Sequence, residues 1–305
     1  MDDIGINSIL NGRLGPGERF QTRDGLSFVV FDRLAATGMV RHGFSTRVGG
    51  TSKGCFESLN LSYFRGDVKE DVDENFRRAA AFFNAVPGQI VCGHQTHTDH
   101  IRRVDRKDAG KGVTRERDYT DVDGLITDEP GLLLMTSHAD CTPLFFVDPV
   151  HRAIGLSHSG WKGTLAGIGM VTVRAMHEAY GTEPADIIAA VGPCACGHCY
   201  EVGPEVAEAF AAKYGEDRIG GPGDTDTFLF PRNNGKYLLD QKAANVYIMK
   251  LAGILPEHIT VSGLCTMEED RLFYSHRKMG ERRGNLGAFL MLEEADCHAN
   301  RRHFS

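Results

Sequence analysis

Short runs that are apolar on both faces alternate along the chain with segments in which apolar residues recur every three or four positions, the signatures of buried strands and amphipathic helices. The runs predict strands at Leu26 to Phe31, Val40 to Ser45, Gln89 to Cys92, Leu132 to Thr136, Leu144 to Val147, Ala153 to Ser157, Ile187 to Val191, Ile259 to Ser262 and Leu286 to Leu292. The clearest helix spans Val68 to Phe83, with Val72, Phe76, Ala79, Ala80 and Phe83 on one face and Asp67 as its N-cap. Further helices are expected at Gly163 to Tyr180, Pro204 to Tyr214 and Gln241 to Ala252. This alternation predicts an α/β (α+β) fold, a single-domain sandwich with a mixed β-sheet and flanking helices. The turn-rich stretch Asp217 to Asp226 reads as a surface excursion within one domain of residues 1–305, with 1–25 as an extension and 295–305 as a solvated tail.

Composition narrows the classes of function. The 305 residues carry 34 Lys+Arg against 41 Asp+Glu, a formal charge of −7. A nucleic-acid partner needs a basic face to neutralise phosphates, so this balance argues against one. The short basic clusters at Arg102-Arg103 with Arg106-Lys107, and at Arg277-Lys278 with Arg282-Arg283, read as solvated loops. No run approaches the roughly 18 consecutive apolar residues of a membrane helix, and no membrane partner is expected. Eight cysteines are too few for a disulfide scaffold in a chain of this length, and Met1-Asp2-Asp3-Ile4-Gly5 opens no leader peptide, so a reduced, cytoplasmic protein is expected.

Polar residues concentrate at strand ends. The segment His138-Ala139-Asp140-Cys141-Thr142-Pro143 lies between two predicted strands, and Ser157-His158-Ser159-Gly160-Trp161-Lys162-Gly163-Thr164 follows a third. The turn Asp148-Pro149-Val150-His151 is short enough to join Leu144 to Val147 and Ala153 to Ser157 as a hairpin, which brings Cys141 and His158 to the same open end. Of His94, His97 and His100, which cannot share a strand face, one is expected to join them. Two imidazoles and a thiolate fit a catalytic zinc site with an open fourth position, and copper is also compatible. Each residue taken singly also fits an ordinary core role. The Gly160 to Thr164 turn, opening a helix beside Lys162, could hold an anion or be a plain connection. The stretch Cys194-Ala195-Cys196-Gly197-His198-Cys199 reads as a turn rather than a metal knuckle, and Cys55, Cys92, Cys265 and Cys297 read as structural.

Seven or more ordered blocks carry a family resemblance, among them His42 to Ser52, Ser58-Leu59-Asn60-Leu61, Gln95-Thr96-His97, Ala139 to Pro143, His158 to Gly163 and Cys199-Tyr200-Glu201-Val202. From about His42 to Leu292 the chain resembles the laccase-domain, or multi-copper polyphenol oxidoreductase, family, also called peptidoglycan editing factor, whose members include purine nucleoside phosphorylases. The resemblance implies metal ligation by His97, Cys141 and His158, usually of zinc, while Asp140 is a candidate proton shuttle or orienting group, or a solvent-facing cap. It implies substrate contacts from Ser45, Arg47, Gln95, Gly160, Trp161, Lys162 and Arg277, with Arg47 beside the metal pocket, in a monomer or weak oligomer. Three positions depart from the family's common pattern: Lys162 stands where Arg is usual, His138 where Thr is usual, and His276 in a Ser-Tyr-Arg-Arg pattern.

The activity expected first is metal-dependent purine nucleoside phosphorolysis of inosine or adenosine, with nucleoside and phosphate as substrates. An adenosine deaminase side activity would use a water activated by the metal. The alternatives are an amidohydrolase that edits peptidoglycan precursors, a copper-dependent polyphenol oxidase and a non-catalytic metal-binding protein. A multicopper cluster needs several His-x-His pairs, and the sequence has none, which ranks the oxidase low.

Overall fold

The structure is a computed structural model that describes residues 13–220 and 226–294. Its strands in chain order are β1 (Glu18–Arg23), β2 (Leu26–Phe31), β3 (Val40–Ser45), β4 (Ile90–Cys92), β5 (Ile101–Arg103), β6 (Gly124–Thr127), β7 (Leu133–His138) and β8 (Thr142–Asp148). They continue as β9 (Ala153–Ser159), β10 (Ile188–Val191), β11 (Glu201–Val202), β12 (Leu229–Pro231), β13 (Tyr237–Leu239), β14 (Ile259–Val261) and β15 (Leu286–Leu292). The helices are α1 (Asp32–Ala36), α2 (Lys69–Phe82), α3 (Trp161–Ala166), α4 (Ile168–Tyr180), α5 (Pro204–Tyr214), α6 (Gln241–Leu251) and α7 (His276–Met279).

Two six-stranded sheets, ordered β1-β2-β3-β15-β7-β4 and β14-β10-β8-β9-β6-β5, replace the one mixed sheet expected from the sequence. Each is mixed: β4 joins β7 in parallel, and β5 joins β6 and β14 joins β10 likewise, while the other pairs are antiparallel. Strand parity builds the layers. Val29, Phe31, Leu134 and Leu290 from the first sheet meet Leu125, Phe145, Val147 and Leu156 from the second in a common core. The alternate residues turn outward: Phe28, Leu133, Met135 and Phe289 pack under Val72, Phe76 and Ala80 of α2. Leu144, Phe146 and Ala189 do the same under Ile168 and Met176 of α4 and Met249 of α6. The strands therefore read as apolar on both faces because both faces are covered. A small sheet ordered β11-β13-β12 packs with α5 in a satellite cluster.

Several boundaries differ from the sequence expectation. The expected helix Gly163 to Tyr180 is two helices, because Gly167 adopts φ +92° between α3 and α4. Asp67 does not cap α2; its Oδ2 accepts hydrogen bonds from Ser52 Oγ at 2.6 Å and Asn60 Nδ2 at 2.9 Å, and Val68 is the capping residue. Part of the expected extension 1–25 is β1, joined to β2 by an Asp24-Gly25 turn with both residues at positive φ, the geometry of a two-residue hairpin. The basic clusters are not all solvated, since Arg283 is buried. Of the Asp217 to Asp226 excursion, residues 221–225 lie outside the described residues, as does the expected tail 295–305. Among the described residues, no helix is long and apolar enough to cross a membrane.

Phe145 sits at the centre of this sandwich, its ring 5.6 Å from that of Phe31 and 6.3 Å from that of His42. Phe145→Ala is expected to lower the unfolding free energy by about 3–5 kcal/mol, the usual range for a fully buried aromatic. Urea denaturation followed by circular dichroism measures this, and a loss under about 1 kcal/mol would show that the two sheets do not share this core.

Candidate metal site and its two cavities

The chain crosses from the first sheet to the second twice at one end of the sandwich, between β4 and β5 and between β7 and β8. The first crossing carries His97 and the second carries Cys141. The hairpin register, with Thr142 opposite Ser159 and Pro143 opposite His158, brings the end of β9 beside them. One ligand atom from each of His97, Cys141 and His158 lies within 4.8 Å of the others. Cys141 Sγ is 3.8 Å from His97 Nε2, close to the edge of about 3.6 Å that Zn–S and Zn–N bonds span in a tetrahedron. Three donors of this chemistry, with His97 exposed and His158 buried, fit a metal with one open position. His94 and His100 stay outside the group, with His94 Nδ1 accepting from Asp121 N and His100 Nδ1 meeting Asp121 O.

The group is assembled by a residue that the motif reading did not single out. Asp123, just before β6 and fully buried, accepts from the backbone N–H of Thr96 at 3.0 Å, of His97 at 3.1 Å and of Thr98 at 2.9 Å. Its Oδ1 meets His158 Nδ1 at 2.8 Å, which leaves His158 Nε2 to face the group. Burial pushes the Asp123 carboxyl up, but the His158 hydrogen bond and charge and the backbone N–H groups hold it at about 2. These bonds also secure His97 in the left-handed region, at φ +67°, where a non-glycine residue is ordinarily strained.

Electrostatics support a thiolate at the centre. Burial pushes the Cys141 thiol up, but the charge and hydrogen bond of His158, then His97, draw it down to about 6. Burial lowers His158 as well, and the Cys141 charge and the Asp123 hydrogen bond raise it to about 9. His138 supports Cys141 from behind. Its Nδ1 lies 3.0 Å from the Cys141 carbonyl, which can only accept, so Nδ1 carries the proton and Nε2 accepts from Thr136 Oγ1 at 2.8 Å. Burial keeps His138 well below the ordinary imidazole range, so it is neutral and committed to positioning.

His97 and Cys141 lie on the wall common to two cavities. The larger, about 440 Å³, is lined by Tyr63, Phe64, Arg65, Arg117, Arg283 and Asn285 as well as all three members of the group. The smaller, about 310 Å³, is lined by Asp140, Trp161, Lys162, Tyr200, His276 and Arg277. Both fall within or near the range of small-molecule sites, about 300–1,000 Å³.

The expected substrate residues divide. Trp161, Lys162 and Arg277 line the smaller cavity. Gln95 lines the larger one with both amide atoms on the Ser137 backbone, at 2.7 and 2.8 Å. Ser45 and Arg47 reach neither. Ser45 is buried between strands, accepting from Gly287 N at 2.9 Å. Arg47 is turned away, because Nε donates to Glu57 O at 2.7 Å and Nη1 to Asp270 O at 3.1 Å while the guanidinium lies 4.6 Å from the Tyr274 ring centre. Asp140, expected to shuttle a proton or orient, accepts from Thr266 Oγ1 at 2.7 Å and Arg277 N at 2.6 Å, so it orients the cavity wall. Gly160 serves by its missing side chain: a Cβ there would lie 2.6 Å from His97 Cδ2 and 3.1 Å from Cys141 Sγ.

A sandwich of two mixed sheets, with a cysteine and two imidazoles between two cavities, defines an α/β protein with a pocket whose donors fit a metal. The chain belongs to the family described as multi-copper polyphenol oxidoreductase laccase, whose model matches residues 41–293. It is 38% identical over 257 residues to purine nucleoside phosphorylase YlmD of Bacillus subtilis (strain 168), covering 83% of this chain and 88% of that one. Among solved structures, the hypothetical protein YfiH of Bacillus licheniformis superposes with a TM-score of 0.81 at 32% identity, over 90% of this chain and 99% of that one. YlmD of Geobacillus stearothermophilus superposes with a TM-score of 0.79 at 34% identity, over the same shares.

Asp123→Asn, which withdraws the carboxylate from His158 and the 96–98 backbone, is expected to weaken metal affinity about 10- to 100-fold. Competition against a chromophoric chelator measures it, and wild-type affinity would remove Asp123 from this role. Gly160→Ala is expected to lose the metal held by His97, Cys141 and His158 while the far-ultraviolet circular dichroism stays native. A full metal complement in that variant would contradict the close approach of His97 and Cys141.

Proposed function

We propose that this protein is a metal-dependent purine nucleoside phosphorylase that converts inosine or adenosine and phosphate to ribose 1-phosphate and the free base. The observation that carries the reading is the His97, Cys141 and His158 group standing between two cavities of different character, as a reaction that joins two substrates requires. The relatives named above as purine nucleoside phosphorylases support it. His97, Cys141 and His158 would hold a divalent metal, zinc by its preference for such donors, which would supply Lewis-acid charge when bound.

The remaining roles belong to the chain itself. The purine ribonucleoside occupies the larger cavity, where Tyr63 and Phe64 offer ring faces. Arg283 also lines this cavity, where its guanidinium offers positive charge to nucleoside oxygens. Burial, then the nearby Arg65, lowers the Arg283 guanidinium to about 10, so it remains charged at neutral pH. Phosphate enters the smaller cavity, where Lys162 meets it as a point charge and Asp140 fixes the backbone of Arg277. A phosphate oxygen then attacks the anomeric carbon as the bond to the purine nitrogen breaks, with positive charge on the ribose balanced by the phosphate. Phosphate binding in this reading falls to Lys162 and Arg277 rather than Arg47.

In this reading the setting is reducing and cytoplasmic, as eight cysteines are too few for a disulfide scaffold in a chain of this length. In this reading the protein acts as a monomer or weak oligomer without nucleic-acid or membrane partners. Oxidase chemistry is ranked low because the three-ligand group cannot hold a copper cluster. Incubating metal-quantified protein with inosine tests the reading: hypoxanthine should form only when phosphate is present. Lys162→Ala should raise the phosphate KM about tenfold, corresponding to about 1.4 kcal/mol, with the inosine KM unchanged. Hypoxanthine formation independent of phosphate, or none from the fully metallated protein, would overturn it. Adenosine without phosphate, followed for inosine release, tests the deaminase side activity.

A further inference from the structure

A second cluster of metal-binding side chains lies outside the site described above. Cys196 and Cys199 sit on the turn after β10, and Cys265 and Glu268 on the turn after β14, 66 to 72 residues further along the chain. One ligand atom from each of the four lies within 4.8 Å of the others. Glu268 Oε1 is 3.4 Å from Cys199 Sγ and 3.7 Å from Cys196 Sγ. A tetrahedron with Zn–S of about 2.3 Å and Zn–O of about 2.0–2.2 Å has S···O edges of about 3.6 Å, so these separations are already those of a four-coordinate site. Cys265 is buried, Cys196 and Cys199 are half-buried and Glu268 is exposed, which leaves an entry path for an ion. The Cys265 sulfur also accepts the Cys196 N–H at 3.3 Å, a contact that favours a thiolate there.

We propose that Cys196, Cys199, Cys265 and Glu268 form a second, structural zinc site. Three thiolates and a carboxylate complete four-coordination, so the site is closed, unlike the three-donor group beside the cavities. Binding replaces the thiol protons, which leave to solvent.

The site ties the turn leading to Tyr200, which lines the smaller cavity, to the turn whose Thr266 anchors Asp140 in the wall of that cavity. Cys194 and Cys265 already form a β-bridge, and Thr266 N donates to Cys194 O at 3.0 Å. Thr266 Oγ1 then donates to Asp140, and Ala195 N donates to Asp140 O at 3.0 Å. Tyr200, next to Cys199, carries the Arg277 guanidinium 4.7 Å above its ring. A metal bridging the turns fixes Tyr200 and Asp140 relative to each other. This assignment does not depend on which reaction the cavities support.

Metal analysis of protein purified under reduction without chelators tests it. The wild type should carry two zinc equivalents per chain, Cys141→Ala one and Cys199→Ser one, with the double variant carrying none. Cobalt titrated into metal-free Cys141→Ala, where all four proposed ligands are intact, should give an intense sulfur-to-cobalt charge-transfer band that Glu268→Gln weakens or shifts. One equivalent in the wild type with none in Cys141→Ala would overturn the proposal. So would absence of the cobalt band in Cys141→Ala, or an intact mass lower by two hydrogens that shows a disulfide between these cysteines instead.

Discussion

A single buried carboxylate holds the centre of this molecule together. Asp123 accepts hydrogen bonds from three consecutive backbone N–H groups, from Thr98 Oγ1 and from His158 Nδ1. Its burial would be expensive without such partners, because an isolated charge in a low-dielectric interior pushes toward neutrality. Here the partners are the site itself: the loop that carries His97 and the ring of His158 are ordered by the need to solvate one anion. The same bonds secure His97 in its left-handed conformation and select the His158 nitrogen that faces Cys141. The geometry of the His97, Cys141 and His158 group is therefore a consequence of how a carboxylate is buried at the mouth of the second sheet.

That carboxylate acts where it does because the chain changes sheets there. Strands β4 and β7 are parallel neighbours in the first sheet, and their continuations β5 and β8 lie in the second. The two crossings leave the sandwich at the same end, and the hairpin of β8 and β9 returns His158 to it. Backbone at such crossings has left the ladders, so its polar groups need other partners. The left-handed Asp140 resolves the second crossing, with its side chain on Thr266 and Arg277 N and its carbonyl on Ala195 N. A reactive pocket at this place thus grows out of topology: two unladdered segments need side-chain anchors, and the anchors shape the cavity walls.

The sequence was most legible where burial was two-sided. The strands from Leu26 to Phe31 and Leu286 to Leu292 are recovered because core and helix layers demand apolar residues at nearly every position, and Val40 to Ser45 is recovered despite Arg41 and His42. β1 was missed because its alternation includes charged Glu18, although Asp24-Gly25 was an available hairpin signal. β5 and β6, of three and four residues, are too short for any period to register. The grouping of His97, Cys141 and His158 was legible as motif blocks, and the hairpin joining Cys141 to His158 follows from one short turn. Asp123 was not legible, since Asp121-Val122-Asp123-Gly124 resembles an ordinary polar turn and its partners lie 25 to 35 residues away. Arg47 shows the converse: its motif block matches, yet two carbonyls and an aromatic face claim the guanidinium.

The cysteines illustrate how sequence spacing and spatial spacing part company. Cys196 and Cys199 lack a second pair in sequence, which is why the stretch reads as a turn. Cys265 carries no spacing signal at all. Parallel pairing of β10 with β14 aligns the turns that follow the two strands, and it carries Cys265 and Glu268 to the Cys196 turn. The same pairing explains why a turn that touches no cavity by itself bears on one. Its far side is anchored to Asp140, so whatever stiffens the cysteine cluster stiffens the wall of the smaller cavity. Affinity for a small anion depends on how little its partners must reorganise. In the proposed reaction, a wall held at both ends, by Asp140 beneath and by the joined turns behind, would reduce that cost for phosphate.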